Sequence, residues 1–236
     1  MTTSFSSPSP APAATRERPA RSTGALMLTL AGGAMAAGSL LYVAGMVTSP
    51  PQDSQAAADY IAALGRDEGR TTLSAMLLHY GNMALALAWL AAPALVRGRR
   101  GRIPTVVGAL MSAIGLVTVA GFVLYDYWTG AIGRELDPQT ALGLYETVGA
   151  NAGVGVVGVL TLFGLLGPIV GYVGLARAGV TGWWLLVPVV GCLVASATIP
   201  FSPLVHGALA LVGAVAPVVL GLRMIARSRA EAAVAA

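Results

Sequence analysis

The chain contains no lysine and only one cysteine, Cys192. Without lysine there is no retinal Schiff base and no phosphate-binding loop ending in Gly-Lys-Ser/Thr. With one cysteine there is no intramolecular disulfide, no Cys-x-x-Cys-His attachment for c-type haem, and no cysteine cluster for zinc or iron–sulfur. A thiol inside an apolar run acts as a small apolar group. Charged residues are 10% of the 236, against about 25% in a soluble domain. None lies in the central part of an apolar run, which argues against a proton pump, a voltage sensor or a carboxylate-based ion site.

Six long apolar runs are present instead: residues 24–47, 73–96, 103–125, 153–176, 182–199 and 203–225. A bilayer-spanning helix needs about 20 such residues. Lipid cannot satisfy free peptide groups, so each run is expected to be helical. They lack the alternating polarity of barrel strands. The predicted fold is all-α, a polytopic bundle of six transmembrane helices. Residues 24–226 form the membrane domain, with a disordered tail at residues 1–23 and a second tail at residues 227–236. The first run exceeds the usual apolar core of a signal peptide, so it reads as a retained helix.

The arginines orient the bundle. Arg16, Arg18 and Arg21 precede the first run, and Arg97, Arg99, Arg100 and Arg102 form the link between the second and third. Arg177 follows the fourth, and Arg223, Arg227 and Arg229 end the sixth. Only Arg66, Arg70 and Arg134 fall on the alternate connections. The arginine-rich side is expected to be cytoplasmic, with both termini on it. It suits anionic lipid headgroups. It is not read as a nucleic-acid site, because RGRRGR is short and has no interleaved aromatics. The predicted location is the bacterial cytoplasmic membrane.

Two outer connections carry helix signals. Asp53 or Ser54 can cap a short helix that Gly65 ends. Asp137 followed by Pro138 is a second helix start. Both segments are predicted as amphipathic helices at the outer interface. Trp183 and Trp184 suit the inner interfacial belt, and Tyr125, Tyr127 and Trp128 the outer one. Gly153, Gly164, Gly167, Gly171 and Gly174 share a stripe in the fourth run. Such Gly-rich faces allow close packing within the chain or between copies. Pro93, Pro168, Pro188 and Pro217 are predicted helix kinks.

Few polar residues remain to carry function. Tyr42, His79, Asn82, Asp126, Ser196 and His206 all lie toward the outer leaflet and form a candidate polar pocket for a small molecule or lipid headgroup. His79 and His206 are also candidates to hold a b-type haem iron between two helices. Met76, His79 and Met83 share a face and are a candidate copper site. No catalytic residue is assigned, because two histidines and Asp126 reach the three ligands of a zinc hydrolase only by coincidence of packing. The Ser74…His79 pair matches part of the seven-helix hydrolase-receptor pattern, but the late histidine pair is missing.

The segment AAADYIAALGRDEGR runs directly into LSAMLLHYGNMALALAWLAAPALV. In its acidic outer helix, its Gly-Arg turn and its early histidine, it resembles the uncharacterised six-helix integral membrane proteins of high-GC bacteria. That resemblance implies the six-helix fold and carries no activity, cofactor or catalytic residue. The favoured function is a non-enzymatic binder or carrier of a small or lipid-like molecule, the alternative a haem- or metal-binding redox protein.

Overall fold

The computed structural model describes residues 23–234, and the regular elements among them are all helical. The sequence expectation for residues 1–22 lies outside the described residues, while Thr23 opens the first helix. Five stretches are long and apolar enough to cross a bilayer: Thr23–Thr48, Glu68–Leu95, Arg102–Glu135, Ala152–Arg177 and Pro203–Ala233. The run read as residues 182–199 forms a shorter apolar stretch, Trp183–Thr198, about 24 Å long at the helical rise.

These stretches follow one another around a closed ring. Helix α1 (Thr23–Thr48) packs on α3 (Glu68–Trp89), α3 on α4 (Arg102–Val123), and α4 on α7 (Ala152–Arg177). Helix α7 meets α8 (Leu186–Thr198), and α8 meets α9 (Pro203–Gly213). Helices α9 and α10 (Val215–Val234) then return to α1. The start of α1 and the end of α10 touch: the Thr29 and Ser228 hydroxyls lie 2.8 Å apart, and Ser228 donates to the Ala25 carbonyl at 2.6 Å. Both described ends therefore share one end of the bundle, the tail end. Residues 227–234, which the sequence places in a tail, continue α10, with Arg227 paired to Glu231 at 2.8 Å.

The ring is held by small residues, with large ones turned outward. Ile103, Val187 and Leu204 are exposed by 76%, 72% and 75%, whereas Gly32, Gly38, Gly108, Ser112 and Gly115 are buried. This inverts the soluble pattern and suits packing in lipid, where small residues let backbones approach. The closest seam is α4 on α7. A Cβ on Gly115 would stand 1.8 Å from the Gly164 nitrogen, and one on Gly108 would stand 2.1 Å from that of Gly171. Of the predicted glycine stripe, Gly164, Gly167, Gly171 and Gly174 are buried, with Gly164, Gly167 and Gly174 against α4 and Gly171 against Trp89, whereas Gly153 is exposed.

Helices α2 (Ala57–Arg66), α5 (Tyr125–Glu135) and α6 (Pro138–Gly149) cap the opposite end. Their small core is Ile61, Ile132 and Ala141, flanked by Trp128, Leu142 and Tyr145. Asp137 caps α6 as its sequence indicates, accepting from the Gln139 and Thr140 amides at 3.2 and 3.1 Å. The Thr140 hydroxyl first, and then these amides, hold its carboxyl below the usual carboxylate range. The start of α2 differs from expectation. Ala56 occupies the cap position without a side-chain bond, and Ser54 instead donates to Asp59. Gly65 is not a helix stop but a contact point, since a Cβ there would meet the Gly133 backbone at 2.9 Å. Helix α5 is absent from the sequence reading, which treats the segment after residue 125 as a connection.

The four prolines have four different settings. Pro168 lies inside α7. Pro93 lies in a 3-10 turn, Ala92–Leu95, beyond the end of α3 at Trp89. Pro188 falls in the first turn of α8, where its missing N–H leaves no intrahelical bond unmade. Pro217 falls in the first turn of α10, but Ala214 before it keeps a helical conformation and accepts from the Val218 amide at 3.1 Å, so the stretch Pro203–Ala233 runs on through this point. At Pro168 and Pro217, therefore, proline falls inside a helical stretch that continues past it.

Candidate functional site

The ring encloses a cavity of about 310 Å³, and every one of its helical stretches contributes to the wall. Ser39 and Tyr42 come from α1, Asn82 and Trp89 from α3, and Leu116 from α4. Tyr172 comes from α7, Cys192 and Ser196 from α8, His206 from α9, and Pro217 from α10. From His206 to Pro217 the lining extends about 16 Å along the axis. The site exists because the sequence alternates bulk: glycines bring α4 and α7 together, while Leu116, Leu165 and Leu193 keep the opposing walls apart.

The floor, toward the tail end, is aromatic. Trp89 and Tyr172 meet edge to face, with centroids 5.2 Å apart and planes at 77°. Both are 2% exposed. Gly171 allows this arrangement, because a Cβ there would lie 2.7 Å from the Trp89 ring. The mouth is at the cap end. A second, wider space of about 490 Å³ lies above the first, lined by Gln52, Gln55, Tyr60, Tyr145 and Phe201. The two share Met46, Ser196 and His206, so they form one path from cap to floor.

His206 stands at the junction. Its ring lies against Phe201, with centroids 4.9 Å apart. Its Nδ1 faces the Ser202 backbone, 3.3 Å from the amide and 3.2 Å from the carbonyl. That leaves Nε2 as the remaining polar atom of the ring. Asn82 is 1% exposed. Its amide donates to the Leu78 carbonyl at 2.8 Å, which fixes Oδ1 as its other polar atom. Cys192 donates to the Leu209 carbonyl at 3.2 Å, so the lone thiol ties α8 to α9.

Of the residues grouped by sequence, Tyr42, Asn82, Ser196 and His206 line this path, and His79 and Asp126 do not. His79 points between helices: its Nδ1 lies 2.9 Å from the Ala120 carbonyl on α4. A carbonyl only accepts, so Nδ1 carries the proton. Asp126 lies in the cap and accepts from the Tyr60 hydroxyl. Burial raises the Tyr60 hydroxyl well above its ordinary range, and the Asp126 charge adds to this, so Tyr60 remains a donor. Ser74 donates to the Gly45 carbonyl at 2.9 Å and contacts Ser49 at 2.7 Å, joining α3 to α1 rather than engaging His79.

The cavity thus offers one imidazole rather than a pair. Met76 is 43% exposed, and neither it nor Met83 lines the path. Among the described residues no group of three or more His, Cys, Asp and Glu is placed to hold a metal ion. Sequence reasoning missed the floor. Tyr172 is the available signal, a polar aromatic inside a Gly-rich run five residues before Arg177.

Comparison of the chain with family models, curated proteins and solved structures finds no match in any of the three. The architecture itself is that of a helical bundle with five helices able to cross a membrane.

Proposed function

We propose that this protein binds a small or lipid-like molecule in the axial cavity and carries or presents it without performing chemistry on it. The cavity carries this reading. It is built by all the crossing segments and is mostly apolar. It also has a graded polar mouth of Gln52, Gln55, Ser196 and His206, as ligand sites in helical bundles do. The haem and copper alternative loses support, because His79 bonds α4 while His206 lines the cavity.

In this proposal the chain crosses a bacterial cytoplasmic membrane six times, with α8 as the short crossing. Contact between the α1 start and the α10 end supports an even number of crossings. Eight described arginines, Arg97, Arg99, Arg100, Arg102, Arg177, Arg223, Arg227 and Arg229, belong to tail-end segments. That end is cytoplasmic by the positive-inside rule and meets anionic lipid there. The cap then faces outward. The resemblance to six-helix proteins of high-GC bacteria agrees with this arrangement.

Gly213→Phe tests the binding function. A Cβ at Gly213 would have only Cys192 as a neighbour, at 3.7 Å, so the new ring enters the cavity with little strain. Detergent-purified wild type is expected to release an equimolar apolar molecule on solvent extraction, detected by mass spectrometry. Gly213→Phe is expected to release none while unfolding at the same temperature. Equal yields from both proteins would refute a cavity-bound ligand.

A further inference from the structure

Three buried side-chain polar atoms among the described residues have no hydrogen-bond partner on the protein: Asn82 Oδ1, Tyr172 OH and Thr181 Oγ1. Two of the three, Asn82 and Tyr172, line the axial cavity. A buried polar atom without a partner is destabilising, so two in one cavity need a shared reason. Asn82 Oδ1 only accepts, whereas the Tyr172 hydroxyl donates or accepts. A ligand hydroxyl can serve either.

The rest of the lining restricts charge. Among the described residues, no carboxylate and no arginine lines the cavity or its mouth. A charged headgroup drawn inside would be desolvated without a counter-ion, which is strongly unfavourable. Asp126, held behind Tyr60 beside the mouth, disfavours an anion further. Resting on the binding function proposed above, we infer that the ligand is a neutral lipid bearing a free hydroxyl. Its chain lies on the Trp89 floor, and its hydroxyl donates to Asn82 Oδ1. Fatty acid anions and phospholipids are excluded from the site.

Quenching of Trp89 tests this inference. Trp89 is the one tryptophan at the cavity, and Trp183 and Trp184 are each 56% exposed. The probes are a mid-chain dibrominated stearyl alcohol and the matching dibrominated stearate, the latter held well above its pKa, each titrated into protein in detergent. The alcohol is expected to quench saturably in wild type and not in Trp89→Phe. The stearate is expected to give only the linear background of the exposed tryptophans. Asn82→Leu is expected to weaken the alcohol about tenfold, the loss of one hydrogen bond. It should also raise the melting temperature of the ligand-free protein, because the orphan acceptor is gone. Tyr172→Phe serves as a second variant with retained shape. Equal saturable binding of stearate, or unchanged alcohol affinity in both Asn82→Leu and Tyr172→Phe, overturns the neutral hydroxyl assignment while leaving a lipid-binding cavity. Absence of Trp89-dependent quenching by either probe overturns the binding function itself.

Discussion

Gly115→Leu is expected to destabilise the folded protein strongly. The reason is backbone, not side chain. Along the α4–α7 seam, added Cβ atoms would lie 1.8 Å from the Gly164 nitrogen, 2.3 Å from that of Ser112 when placed on Gly167, and 2.4 Å from that of Thr105 when placed on Gly174. No rotamer of a larger residue removes such a clash, so the two helices must separate along their whole seam. Overpacking of an ordinary core costs about 1–3 kcal/mol. Here a cost at or above about 3 kcal/mol is expected, which lowers the melting temperature by roughly 10 °C for a chain of this size. Gly121→Ala is the control, since a Cβ there meets nothing within 4 Å. It is expected to be neutral. Fluorescence-detected size exclusion after mild heating separates the two outcomes. A monodisperse, thermally unchanged Gly115→Leu protein would mean that α4 and α7 are not packed as described.

Trp89→Ala is the second large effect. The indole is 2% exposed, stacks edge-on against Tyr172 and fits over Gly171. Removing a fully buried tryptophan costs about 3–5 kcal/mol through lost contacts and the void left behind. The same change opens the floor, so the cavity no longer ends inside the bundle. A drop in melting temperature of about 10 °C or more is expected, together with loss of any co-purifying apolar molecule. Trp89→Phe keeps an aromatic floor and is expected to lose less than half as much stability. If Trp89→Ala melts with wild type, the indole is not the closed end of the cavity.

The long apolar helices are legible in the sequence, because lipid demands long uncharged runs, and five of the stretches are long and apolar enough to cross a bilayer. Part of the site is legible too. Tyr42, Asn82, Ser196 and His206 share a depth, and depth is simple to read from the rise of a helix. Direction around the helix is not. His79 lies at a suitable depth but turns to the Ala120 carbonyl, and Asp126 is held in the cap by Tyr60. Gly65 looks like a stop signal when its partner Gly133 is unknown. Helix α5, with the sequence YDYWTGAIGRE, mixes belt aromatics with glycine, and its helicity comes from packing on α2. Pro93, Pro168, Pro188 and Pro217 cannot be told apart by composition, because their effects depend on where each helix ends. The floor depends on Gly171 standing opposite Trp89, a pairing that no local pattern announces.

The central claim is that the crossings are even in number and close into a ring whose two ends meet. Thr29→Cys with Ser228→Cys, in a Cys192→Ala background, tests it in native membranes. The wild-type hydroxyls stand 2.8 Å apart, close enough for their sulfur replacements to join. Mild oxidation is expected to give an intramolecular disulfide in most molecules, protecting both thiols from alkylation until reductant is added. Two thiols that remain fully alkylatable after oxidation would place the ends apart and contradict the ring.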